Sequence, residues 1–344
     1  MPREIVHWDI AHRALLRLPI EEAPILRQIT VGNEAAIALG AVTHDAPYYR
    51  RGGGSEFEWV GAFLHGLGEK VDHGDTLLPL SRFGEFADTL TDTHERATSL
   101  SFLLGLLSHY AVDVVFHPWV FFFTGNYYAV DDRERAAARA RHRLLEVYLD
   151  EDRRASGLAL PWSMRISNLL KSIPHATLGT ICAGLEVAIE PTASRWAPEL
   201  VGQLRAEWHA ALRELALFQR LFVSTGGGIG AMLLNRLSLN RLFPYEALFA
   251  RGRRGVHPIL QDIQSYQNPI SGELTSSSIA EMDEQAIELT LKLYRVVERG
   301  LAAGKLTAST LSGGVSLNYG QKDSAPEDAT HFSERGIDLP GLRF

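Results

Sequence analysis

The stretch Leu100–Phe123, LSFLLGLLSHYAVDVVFHPWVFFF, decides the fold. It is the most apolar run in the chain, yet it carries His109, Asp113 and His117 at successive four-residue steps. At about 100° per residue these three side chains fall within about 80° of arc, on one face of a helix whose other faces are Leu, Val and Phe. A helix that is apolar nearly all round is buried. Burying a carboxylate without a partner costs several kcal/mol, so Asp113 needs a cation, and two flanking imidazoles point to a metal. The stretch reads as the floor of a metal site.

Its length is also about that of a bilayer span. Three ionisable groups on one face and Pro118 within the run argue against a lipid-exposed helix, and no second stretch of such apolarity exists to form a bundle with it. No transmembrane segment is expected.

The chain has 344 residues, 46% of them hydrophobic, enough for one large helical core or two smaller domains. A net charge of -7 argues against nonspecific binding to nucleic acid or anionic lipid, so no stable nucleic-acid binding is expected. One cysteine, Cys182, excludes an internal disulfide framework and any zinc site built on thiolates, which leaves His, Asp and Glu as metal ligands. The start, MPREIVHWDIAHRALL, has charges where a secretory signal needs a continuous apolar run, so the expected compartment is the cytoplasm. Oligomeric state is not legible.

Outward from the central run, Ile10, Ala11, Ala14, Leu15 and Leu18 mark a first helix that Pro19 stops, with His7 near its start and His12 further on. An alanine-rich helix follows and ends at His44-Asp45, ahead of Pro47, where side chains can be aimed into a cleft. Gly52-Gly53-Gly54 reads as a connection, too weak a signal for a phosphate loop. Beyond it, His65 ends an apolar helical patch and faces inward, whereas His73 reads as loop. Residues 131–155 form a strongly helical segment with His142 and Glu146 four apart and Asp150 one turn on. Its five arginines between Arg133 and Arg143 are a solvated face. Taken singly, each histidine reads more simply as a structural residue.

The second half is helical in pattern and poor in chemistry. Cys182 sits in a core segment, and Pro198–Val223 is a long amphipathic helix with Trp208. Thr225–Gly230 has the look of a dinucleotide loop, but no strand precedes it and its glycine spacing is wrong. Ser278 and Glu281 form a capping box for a last helix running to about Ala303, ended by Gly304. No alternating run argues for a sheet, so the fold class is all-α. Three parts are expected: a metal-site helical region over 1–160, further helices packed on the same domain over 161–305, and a polar tail over 306–344 that hugs the surface or is partly mobile.

The order His, Asp, His, H-x3-D-x3-H, H-x3-E over the first half resembles the bacterial zinc-dependent phospholipases C, relatives of the S1/P1 nucleases. The phrases that carry it are HWDIAHRAL, LGAVTHDAPYY, FLHG, FLLGLLSHYAVDVVFHPW and HRLLE. The resemblance implies a multi-helix bundle with Zn2+ as cofactor, in two or three ions. It implies that Asp45, His65, His109 and Asp113 hold one zinc and His117, His142 and Glu146 another, with Asp113 bridging to a third held by His7. The secreted members begin with a Trp whose amino group and carbonyl bind the third zinc. Here Trp8 follows His7 within a helix, so the third metal is expected to be missing, weaker, or completed by another group such as the amino terminus, Asp9 or His12.

The expected function is phosphoester hydrolysis, with a metal-held hydroxide attacking the phosphorus of a phosphodiester and Asp45 orienting or deprotonating the nucleophile. The substrate would be a phospholipid or a small phosphorylated molecule. An apolar cleft could come from Trp119 and Phe121–Phe123, although core packing is the simpler role for them. A nuclease or 3'-nucleotidase would instead need stacking surfaces such as Tyr48, Tyr49, Phe57 and Trp59. Two further alternatives are an HD-type phosphohydrolase built on His44-Asp45, and a helical protein with a structural metal site and no turnover.

Overall fold

The computed structural model describes residues 4–51, 57–66, 74–223 and 258–333. In chain order the helices are α1 (Glu4–Arg17), α2 (Pro24–Thr30), α3 (Glu34–Thr43), α4 (Glu58–Leu64), α5 (Leu78–Asp88) and α6 (Thr93–Thr124). They continue with α7 (Asp132–Ala155), α8 (Ile166–Ser172), α9 (His175–Trp196), α10 (Leu204–Val223), α11 (Pro258–Gln261) and α12 (Ile279–Ala302). The protein is an all-α bundle. Its one sheet among the described residues is a hairpin of β1 (Gln264–Gln267) and β2 (Leu274–Ser277), paired antiparallel with Gln264 opposite Ser277. Strands of four residues are too short to show the alternation that marks a strand in sequence.

The apolar run lies in α6, a helix of 32 residues around which the others are arranged. Asp92 caps its start by accepting from the Glu95 amide, and Gly125 ends it at φ +91°. α6 packs against α1, α2, α3, α5, α7, α9 and α12. It is long and apolar enough to cross a membrane, but 89% of its most apolar window is buried inside the protein, which makes it the core helix.

Two glycines let α3 and α6 meet backbone to backbone. A Cβ on Gly40 would lie 2.1 Å from the Phe102 carbonyl oxygen, and one on Gly105 would lie 2.1 Å from that of Ile37. This contact sets the end of α3 beside the middle of α6, where the chemistry-bearing side chains are.

The second half is joined to the first by paired charges as well as apolar packing. Arg153 of α7 and Arg13 of α1 converge on Asp283 of α12, and both lie 3.6 Å from Asp9. Glu298 of α12 accepts from the Ile25 and Leu26 amides at the start of α2. The Ser278–Glu281 capping box opens α12, and Gly304 follows its end at φ +89°.

Residues 306–333 are not a surface tail. Leu306, Leu311, Leu317 and Tyr319 are buried, and the main chain of Leu317 meets His117 of α6 and His65 at the end of α4. Its polar composition conceals this, because its polar and main-chain groups are used in hydrogen bonds: Asp75 accepts from the Gly313 and Gly314 amides, and the Val315 amide donates to the Tyr110 hydroxyl. The Gly52–Gly54 connection, His73, the Thr225–Gly230 run and residues 334–344 lie outside the described residues.

Candidate metal centre

The eight residues named from the sequence, His7, Asp45, His65, His109, Asp113, His117, His142 and Glu146, converge from α1, the end of α3, the end of α4, α6 and α7. None is more than 5% exposed. Three groups, the first two sharing His109, have ligand atoms mutually within 4.8 Å: His7, Asp45 and His109; His65, His109 and Asp113; His117, His142 and Glu146.

Asp113 is at the centre. Its Oδ2 lies 3.1 Å from His109 Nε2 and 3.4 Å from His65 Nε2, and its Oδ1 lies 3.5 Å from His117 Nε2 and 3.6 Å from His7 Nε2. His65 Nε2 also lies 3.4 Å from Asp45 Oδ1. On the other side, Glu146 Oε1 is 2.9 Å from His142 Nε2 and 3.9 Å from His117 Nε2.

Three imidazoles are held by the main chain. Nδ1 of His65 lies 2.7 Å from the Gly61 carbonyl oxygen, that of His109 2.9 Å from Ala41, and that of His117 3.0 Å from Leu317. A carbonyl oxygen can only accept, so each Nδ1 carries the proton and each Nε2 is the atom presented to the cluster. The ring of His109 is sandwiched between His7, centroids 4.0 Å apart, and His44, 4.5 Å.

Burial pushes the pKa of His7, His44 and His142 down, and that of His117 down to about 3. Against the same burial, the carboxylates of Asp113 and Asp45 hold His65 up at about 9 and His109 above its ordinary value. Burial also works against the Asp113 carboxylate, but the imidazoles of His117, His109 and His65 hold its pKa well below the usual range. Asp113 is therefore ionised.

The doublet His44-Asp45 divides. Asp45 faces the cluster, while His44 stacks on His109 and joins none of the three groups, which leaves the HD-type arrangement without its histidine. Neither Asp9 nor His12 completes a site with His7: Asp9 faces Arg13 and Arg153, and His12 packs edge-on to Trp162.

Of the apolar candidates, Trp119 is fully buried core, and Phe121 is buried with its ring 4.9 Å from that of His142. Phe57 packs in the core on Trp208, Tyr49 on Phe218 and Trp59 on Phe63. Tyr48 does reach the site, its hydroxyl 3.4 Å from His65 Nδ1. Sequence reading missed Tyr127, whose ring is 5.1 Å from that of His142, and Tyr128, whose hydroxyl accepts from Asn318. It also missed Leu317, since a main-chain carbonyl has no residue signature.

A family model for zinc-dependent phospholipase C matches residues 6–179, half of the chain and the half that contains all eight cluster residues. The chain belongs to the zinc-dependent phospholipase C family. Comparison with curated proteins and with solved structures returned no match. Membership makes the protein a zinc-dependent phosphoric ester hydrolase.

The residues fit zinc. Imidazole nitrogens and carboxylate oxygens are ordinary zinc donors, and ligands at about 2.0–2.2 Å in a tetrahedron stand about 3.4 Å from one another. The nitrogen-to-oxygen separations here run from 2.9 to 3.9 Å. Both Asp113 oxygens, Asp45 Oδ1, both nitrogens of His7, and Nε2 of His109 and His117 are buried with no hydrogen bond of good geometry. Left so, each would cost about 1–3 kcal/mol, a penalty that bound cations remove for the carboxylate oxygens and for one nitrogen of each imidazole.

Proposed function

We propose that the eight residues bind two or three zinc ions and that the protein hydrolyses a phosphodiester with a lipid-like organic part. The observation that carries this reading is the position of Asp113, whose Oδ2 faces His109 and His65 and whose Oδ1 faces His7 and His117, so that it serves one ion and bridges to another where the His7 site is filled. In the proposed division, Asp45, His65, His109 and Asp113 hold one ion, His117, His142 and Glu146 a second, and His7 with Asp113 a third where it is present.

Bound zinc would supply charge neutralisation for the phosphoryl oxygens and a water acidified toward neutral pH. The chain supplies the rest. Asp45 is the most exposed of the eight, at 5%, and lies at a turn rather than within a helix. Its carboxylate is placed to orient the attacking water and accept its proton. The main-chain acceptors on His65, His109 and His117 hold three rings in one tautomer, so that the ligands need not reorganise during turnover.

Beside the cluster, Tyr48, Tyr127 and Tyr128 are half-buried and present aromatic surface to the organic part of a substrate. Three of the four surfaces that a nuclease would stack bases on, Tyr49, Phe57 and Trp59, pack on other aromatic rings instead. That favours a phospholipid-like substrate. The test is hydrolysis of phosphatidylcholine vesicles, single-stranded DNA and a 3'-nucleotide, with zinc removed and then restored. Zinc-dependent release of phosphorylated headgroup from the vesicles is expected. Cleavage of only the DNA or the nucleotide would overturn the substrate, and no zinc-dependent hydrolysis of any of them would overturn the reaction.

A further inference from the structure

Leu317 lies outside the family-matched region and 200 residues from His117 along the chain, yet its main chain touches a member of two ligand groups. Its carbonyl accepts from His117 Nδ1 at 3.0 Å, and its amide donates to the His65 carbonyl at 3.1 Å. We infer that the segment 313–321 is a positioning strap for the metal centre, so that docking of Leu317 and zinc binding through His117, His142 and Glu146 are coupled. This rests on the reading of those three residues as zinc ligands.

The strap has anchors of its own on both sides of Leu317. Before it, Asp75 accepts from two strap amides, the Val315 amide donates to the Tyr110 hydroxyl, and the Val315 carbonyl accepts from Thr76. After it, Asn318 donates to the Tyr128 hydroxyl, Asn268 donates to the Tyr319 carbonyl, and the Tyr319 ring packs on Phe121. The strap is therefore seated by contacts that do not involve the metal ligands, and it delivers the Leu317 carbonyl to His117.

The sequence of α6 prepares the seat. Pro118 has no N–H to give the Val114 carbonyl four residues back, so that carbonyl lacks its usual donor within the helix. The strap crosses there at Gly320, with φ +66°, where a Cβ would lie 2.9 Å from the Val114 oxygen and 3.4 Å from Pro118 Cγ. Only a residue without a side chain fits both the space and the backbone. The same helix thus carries His117 and, one residue later, the proline against which its positioning strap is packed.

A carbonyl on Nδ1 fixes the tautomer and aim of a ligating imidazole, and removal of such a partner typically weakens metal binding about 10- to 100-fold. Coupling is reciprocal, so zinc must in turn hold the strap. The test compares Gly320→Ala, which wedges the strap off α6, with Gly304→Ala. Gly304 has φ +89° and nothing within 4 Å of a built Cβ, so its variant carries the backbone strain without the wedge.

Zinc affinity is measured by competition with a chelating dye, and amide exchange over 315–319 is followed with and without zinc. Gly320→Ala is expected to bind one class of zinc about 10- to 100-fold more weakly, with Gly304→Ala like wild type. In wild type, zinc should slow exchange across the strap. Gly320→Ala with a fast-exchanging strap and wild-type zinc affinity would overturn the inference. So would a wild-type strap whose exchange ignores zinc, and that measurement decides alone if Gly320→Ala does not fold. A wild type that binds no zinc would instead overturn the metal reading on which the coupling rests.

Discussion

Gly105 of α6 is pressed against Gly40 of α3 so closely that a Cβ built on it would sit 2.9 Å from the Gly40 carbonyl carbon and 2.6 Å from the Ala41 amide nitrogen. The contact places the Ala41 carbonyl for His109 and brings Asp45, two residues past the end of α3, to the cluster. Gly105→Ala should cost about 1–3 kcal/mol or more, since neither backbone can yield without moving a helix. It should also weaken zinc binding. Thermal unfolding with a zinc titration checks both, and a stable variant with normal zinc affinity would contradict the role given to this crossing.

The buried histidines make the zinc-free protein acid-sensitive. Burial keeps His7, His44, His117 and His142 unprotonated in the fold, with His117 down at about 3. On unfolding below about pH 6.5 these four take up protons, so the unfolded state binds more and stability falls as the pH is lowered. His65 and His109 act in the opposite sense. Their contribution is complete below about pH 6.5 and is lost as pH rises through the folded value, about 9 for His65. Four groups outweigh two, so the melting temperature of the zinc-free protein should drop between about pH 7 and about pH 5. A rise over that interval would contradict the assigned protonation states.

Asp150 continues the α7 ligand face by one turn, and its Oδ1 accepts from the buried Val6 amide at 3.1 Å. It therefore ties α7 to the first turn of α1, which carries His7. Asp150→Ala should destabilise the protein by about 1–2 kcal/mol and lower occupancy of the ion that His7 would hold, with the other ions retained. Asp150→Asn keeps an acceptor and should be milder. Zinc content at a fixed chelator concentration distinguishes the two variants, and equal content in both and in wild type would contradict this role.

What could be read from sequence was what local spacing encodes. The apolar face of α6 with three polar residues in register, the H-x3-E pair on α7 and the Ser278–Glu281 cap are all written within one or two helical turns. His44 and Asp45 show where adjacency fails. About 100° separates consecutive residues at a helix end, so one aims at the cluster and the other stacks beside it. Contacts made by the main chain were not legible, since any residue can supply a carbonyl; this hid Leu317 and made a polar, glycine-containing segment look like a tail. The approach of Gly40 to Gly105 was equally silent, because a single glycine in a helix does not name its partner.

The most direct test of the account is zinc per chain for wild type, Asp113→Asn and His142→Ala, purified identically and measured by elemental analysis. Two or three zinc ions are expected in wild type, with loss of a single ion in His142→Ala; Asp113→Asn should lose more than one ion where three bind and one where two bind, because its carboxylate bridges to the His7 ion only when that ion is present. Retention of the full wild-type zinc content by both variants would contradict the account.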